Sequence, residues 1–183
     1  YLQLNEVVVT AKVDKDKAGN ELATISARQF SLEEVTRYSG ARNDASRMAA
    51  NFAGVNISDD SRNDIVVRGN SPTGLLWRME GVAIPNPNHY STLGSTGGPV
   101  SALNTNLLKN SDFLTSAFPA EYGNALSGVF DIQLRSGNKE NHEYTFQLAA
   151  FSGLEAMAEG PLQGKREKEK SQSEGGGAYL VSY

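Results

Sequence analysis

A chain of 183 residues, 39% hydrophobic and 21% charged, is sized for one domain, or one domain with an appendage. The absence of cysteine excludes thiol catalysis and zinc centres built on thiolates, and a net charge of -4 argues against a nucleic-acid partner, which needs a basic surface. No run approaches the roughly 20 apolar residues of a membrane-spanning helix, and no secretory signal opens the chain at Tyr1, so an exported form is expected to be a mature or excised piece.

In chain order, residues 4–11 are β-prone and residues 12–20 are charged and end in glycine and asparagine, a linker expected to be mobile. Pattern alone reads residues 6–11 as an ordinary first strand or as a detachable strand for capture by β-augmentation. Ser31 and Glu34 form a capping-box pattern, with Phe30 and Val35 placed as a hydrophobic staple and Gly40 as the stop, so a helix is expected from Ser31. A second helix is expected over residues 44–52, with Ala45, Met48, Ala49 and Phe52 on one face and Gly54 at its end. Residues 55–58 then read as a strand. Asp59, Asp60 and Asp64 lack the loop signature of a calcium site, and these residue types favour turns for local reasons, so no metal is expected.

The block 64–87 is the strongest pattern in the chain. Ile65, Val66 and Val67 form a β-branched run expected to be covered on both sides. Trp77 and Met79 alternate with Arg78 and Glu80, Gly81 permits a reversal, and residues 82–84 return until Pro85 and Pro87 stop further pairing. Residues 88–99 are polar and glycine-rich, expected to be a surface loop, and residues 101–108 are expected to be a short helix capped by Ser101. Residues 111–118 are strand-like. In residues 129–135, Phe130, Ile132 and Leu134 alternate with Asp131, Gln133 and Arg135.

Beyond Gly137 the character changes. Residues 144–151 and 178–183 alternate, Tyr179, Val181 and Tyr183 sharing one face, and a hydrophilic excursion lies between them; the mixed charges of residues 165–170 read as a solvated loop. Alternating strands with aromatic faces are the sequence signature of a transmembrane β-barrel, whereas a soluble hairpin is the plainer reading. A barrel of 22 strands needs well over ~200 residues, so the chain is not expected to hold one.

Residues 64–87 resemble the middle of the plug domain of TonB-dependent outer-membrane transporters, and residues 118–137 resemble that domain's closing segment. The resemblance implies an α+β fold: a small plug domain with a mixed β-sheet and two to three short helices, followed by the first hairpin of a truncated transmembrane β-barrel. The implied divisions are 1–20 for the TonB-box segment and linker, 21–138 for the plug, and 139–183 for the first two barrel strands. Glu6, Val7, Val8, Val9, Thr10 and Ala11 look like the TonB box, gripped by the C-terminal domain of TonB, and this favours the detachable strand. Arg68 and Arg135 match plug arginines that face acidic residues of the wall; otherwise each is a solvated strand arginine.

Ligand-facing apices are implied at Asn70, Asn86, Asn88, His89 and Tyr122, with a solvated loop histidine as the plainer reading of His89. His142 is expected to be structural or exposed. The implied partners are TonB, the chain's own barrel domain, a ligand that is a siderophore, glycan, peptide or metal complex, and a surface lipoprotein as a further candidate. No cofactor is implied. The implied location is the outer membrane, with the plug inside the barrel lumen. The strand Trp77-Arg78-Met79-Glu80-Gly81 and the close Arg135-Ser136-Gly137-Asn138 look like Bacteroidetes-type transporters, which often carry an extra N-terminal domain. An enzyme is not expected: no nucleophile elbow, phosphate loop or zinc signature occurs, and His89 and His142 are the only histidines. The alternative is a free-standing periplasmic ligand-binding or signalling module.

Overall fold

A computed structural model describes residues 18–23, 25–149, 153–162 and 177–183. The expected handle, residues 6–11, and the lysine-rich run 165–170 lie outside the described residues. The elements run β1 (Ala27–Phe30), α1 (Leu32–Arg37), α2 (Ala45–Ala49), β2 (Val55–Ile57), β3 (Ile65–Val67), β4 (Leu75–Met79), β5 (Val82–Ile84), β6 (Asn88–His89), β7 (Val100–Ser101), β8 (Ser111–Leu114), β9 (Gly128–Ile132), β10 (Glu143–Ala149), β11 (Gly153–Pro161) and β12 (Ala178–Ser182). The class is α+β, with a mixed sheet and two short α-helices.

The central sheet has the order β1-β8-β9-β4-β5, with β4 and β9 parallel in its middle and the other pairs antiparallel. The β4–β5 turn is the one expected at Gly81: Glu80 and Gly81 both take positive φ, at 49° and 81°, as a two-residue hairpin with primed geometry requires. One face carries the main core. Trp77 stacks on Phe130 at 4.3 Å between ring centroids, and Phe113 and Phe30 meet the same ring at 4.4 and 6.0 Å. Both helices pack there. The Glu34 carboxylate accepts the Ser31 N–H at 3.2 Å, Phe30 and Val35 are buried together, and α2 is buried all round. The opposite face holds a smaller cluster of Ala23, Leu114, Tyr122 and Val129.

Several expectations change. The strand β3 is covered on one face only: Ile65 and Val67 are buried while Val66 is half-buried, and it pairs with β2 in a separate ribbon. Residues 101–108 are not a helix. The Ser101 hydroxyl takes the Leu103 N–H at 3.2 Å and the Asn104 side chain takes that of Asn106 at 2.8 Å, so local side-chain bonds compete with helical ones and leave a single 3-10 turn, Thr105–Leu107. Residues 88–99 are not a free loop either: Asn88 and His89 pair with β7, and Thr96, Gly97 and Gly98 are buried. The described end of the charged linker, Ala18 to Asn20, is docked on the sheet.

Past Gly137, three strands replace the expected two. They form an antiparallel meander in the order β10-β11-β12, with Tyr144 opposite Ala158 and Ala158 opposite Val181. The extra strand is β11. Its glycines and alanines carry little β propensity of their own, and its conformation is imposed by ladders on both sides.

Candidate functional site

One end of the central sheet gathers three loops. The N–H groups of Leu126 and Ser127 both donate to the Gly74 carbonyl, at 2.9 and 3.0 Å, and the Thr96 hydroxyl donates to the Pro72 carbonyl. The Trp77 indole reaches out of the core to the Thr96 carbonyl at 3.0 Å, so the loop 90–98 is tied to a buried ring. Gly74 is needed where these segments meet, because a Cβ there would lie 2.8 Å from that of Leu126. Tyr90, Leu93 and Leu126 project from these loops into solvent, and neither leucine stood out in the sequence. Their signal was a large apolar residue inside a polar, glycine-rich stretch.

Beneath the loops lies a buried amide network. Asn63 donates to the Asp44 carboxylate at 2.7 Å and to the Asn88 side-chain oxygen at 2.6 Å, and it accepts the Gly98 N–H at 2.7 Å. Asn88 in turn donates to Asn86, and Asn86 donates to the Ser95 carbonyl, both at 2.7 Å. Burial pushes the Asp44 carboxyl up from its ordinary 3.8, against the pull of its bonds from Asn63 and Ser46 and of nearby Arg47. Arg62 bonds Asp64, Ser95 and the Gly97 carbonyl, closing the network at its rim.

The expected apices therefore divide. Asn70 and His89 are exposed, and Asn86 is half-buried. Asn88 is buried and spent on Asn63 and Asn86, so it supports the loop instead of presenting itself at its surface. Tyr122 is also buried: its hydroxyl donates to Asp131 at 2.7 Å, Arg78 lies 5.1 Å over its ring, and burial pushes its pKa up to about 12. The sequence marked both as polar residues in turns, and the partners that draw them in are distant along the chain.

Arg68 is exposed at φ 51°, held to the Ser26 and Thr115 hydroxyls at 3.2 and 3.4 Å. Arg135 is different. Its guanidinium grips Glu159 of β11 through two bonds, at 2.8 and 2.7 Å, and its Nε donates to the Asn106 carbonyl at 2.6 Å. Asn106 bonds Gln147 and Glu155 at 3.2 and 2.9 Å, so the 3-10 turn and Arg135 together fasten the meander to the α+β domain. His142 bonds the Tyr179 hydroxyl at 3.0 Å, a structural contact.

The meander has two unlike faces. Glu155, Met157 and Glu159 turn toward the domain, Glu159 being 2% exposed. Tyr144, Phe146, Leu148, Leu154 and Val181 stand on the other face and are exposed. Among the described residues no helix is long and apolar enough to cross a membrane, and no cluster of His, Asp or Glu is arranged to hold a metal ion.

No protein-family model and no curated protein matches the sequence. Solved structures do match. The siderophore receptor PirA from Acinetobacter baumannii is 20% identical with a TM-score of 0.51, over 75% of this chain and 22% of the receptor. A mutant of the ferric enterobactin receptor PfeA from Pseudomonas aeruginosa is 19% identical with a TM-score of 0.51, over 76% of this chain and 22% of the receptor. The chain thus spans under a quarter of the proteins it matches, and at this identity the likeness is one of fold. At that level the chain is similar in fold to parts of two proteins described as receptors.

Proposed function

We propose that the chain is the plug, with the first wall strands, of a TonB-dependent outer-membrane transporter, gating ligand uptake through a barrel that further sequence completes. The observation that carries this reading is the meander: it turns its polar face to the domain and its apolar face outward, the pattern of a wall strand between lumen and lipid. A free-standing periplasmic module leaves that outward face without a purpose. Arg135 with Glu159 is then a plug-to-wall contact, and the loops carrying Asn70, Asn86, His89, Tyr90, Leu93 and Leu126 face the ligand. One neighbour is described as a siderophore receptor and the other as a ferric enterobactin receptor, which supports ferric siderophores as the first ligands to screen, ahead of glycans, peptides and other metal complexes. The closing Arg135-Ser136-Gly137-Asn138 supports a Bacteroidetes-type parent.

The tail supplies the test. A peptide of residues 6–11 is expected to bind the C-terminal domain of TonB by strand addition. Val8→Pro is expected to abolish binding, since proline removes an N–H and blocks pairing. Equal binding by both peptides, measured by titration calorimetry, refutes the reading.

A further inference from the structure

In the centre of the sheet, Asp112 of β8 stands directly opposite Asp131 of β9. Cross-strand partners share a face with their Cβ atoms about 5 Å apart, and like charges in that position destabilise the pairing. Asp131 has compensation from its own sheet: Arg78, its cross-strand neighbour on β4, lies 3.9 Å away, and the Tyr122 hydroxyl donates to it. Asp112, 4% exposed, takes its donors from outside the sheet. The N–H groups of Gly19 and Asn20 each reach one of its oxygens at 3.0 Å.

Asn20 fits this place with every polar group it owns. Its N–H bonds Asp112, its side-chain amide donates to Glu121 and, at 3.0 Å, to the Tyr122 hydroxyl, its side-chain oxygen accepts the Leu22 N–H at 2.9 Å, and its carbonyl accepts the Ala23 N–H at 3.1 Å. The bond to Tyr122 leaves that hydroxyl's proton for Asp131. The segment therefore serves both carboxylates, one directly and one through Tyr122. Ala23 is buried against Leu114, Tyr122 and Val129, while Leu22 and Ile25 on either side are exposed, so the segment is attached at few points.

We propose that residues 18–23 are a withdrawable strap, and that its departure loosens β8 from β9 by leaving Asp112 without its donors directly opposite Asp131. Tension on the preceding tail is thereby converted into weakening of the sheet's centre, instead of merely peeling the edge strand β1. The use of the device rests on the reading that the tail is pulled; the device itself does not.

The test is amide hydrogen exchange on the full chain in detergent micelles. Asn20→Pro removes the Asn20 N–H and all its side-chain bonds without touching the sheet. Exchange in β8 and β9 is expected to rise roughly tenfold or more, the worth of a hydrogen bond to a charged group, while α2 and β3 serve as unaffected controls. Adding Asp112→Asn, which removes one of the opposed charges, is expected to restore most of the protection. Unchanged exchange in β8 and β9 with Asn20→Pro overturns the proposal, as does failure of Asp112→Asn to rescue it. The TonB-binding test involves residues 6–11 alone, so the two ideas fail separately.

Discussion

Glu159→Leu tests the seam between domain and meander. The Glu159 side chain is 3% exposed and takes three donors: two from Arg135 and the Asn138 N–H at 2.9 Å. Breaking a fully buried ion pair costs about 3–5 kcal/mol, and an exposed pair contributes less than ~1 kcal/mol. The Arg135 side chain is 28% exposed, so water recovers part of its stranded charge, and about 2–3 kcal/mol is expected. That is a loss of roughly 30- to 150-fold in the docked fraction. The assay is a double-mutant cycle by denaturant unfolding in micelles, with exchange of the β10–β12 amides read alongside. Arg135→Met together with Glu159→Leu removes both charges and should cost less than the sum of the single changes by more than about 1.5 kcal/mol. Additivity within about 0.5 kcal/mol refutes the argument that the two residues act as one buried pair.

Three further outcomes are expected. Asn63→Ala takes one donor from Asp44 and strands the Asn88 oxygen and the Gly98 N–H, and should cost about 3 kcal/mol in unfolding free energy while freeing the loop 90–98 to proteolysis. Gly137→Ala places a Cβ against the Tyr179 carbonyl, a backbone group that cannot turn aside, and should lower the melting temperature through about 1–3 kcal/mol of overpacking. For Asp44, whose carboxyl is raised by burial, the contribution to stability is fully present below its unfolded value of 3.8 and is lost as pH rises through the folded value; the wild-type chain should therefore lose stability relative to Asp44→Asn as pH rises from 3.8, measured as the difference in denaturant midpoints.

What was legible in the sequence was local. The start of α1 is written in Ser31, Glu34, Phe30 and Val35, all within six consecutive residues, and the β4–β5 hairpin in the glycine that accepts positive φ. What was not legible depends on partners far along the chain. Asn88 looks like a surface residue until Asn63 is brought beside it, and Tyr122 until Asp131 and Arg78 are. Glu159 gave no sign of its role, because its significance is the arginine opposite. The run 101–108 misled for the converse reason: Ser101 suggested a helix start, and both it and Asn104 spend their side chains on turns.

The chain obeys two opposed burial rules, and the place where they exchange explains the seam. Up to Ile132 alternation puts apolar residues inward, as in β9, where Phe130 and Ile132 are buried. From Tyr144 onward it puts them outward, with Tyr144 at 78%, Leu148 at 77% and Tyr183 at 95% exposure. In water such a continuous apolar sheet face is unstable, so these strands need apolar surroundings; but in those surroundings their opposite face, carrying Glu143, Glu155 and Glu159, must be covered by something polar. The α+β domain supplies that cover through Arg135 and Asn106. Arg135 stands in the short connection where one rule gives way to the other, and this makes the Arg135–Glu159 pair the contact on which the relation between the two parts turns.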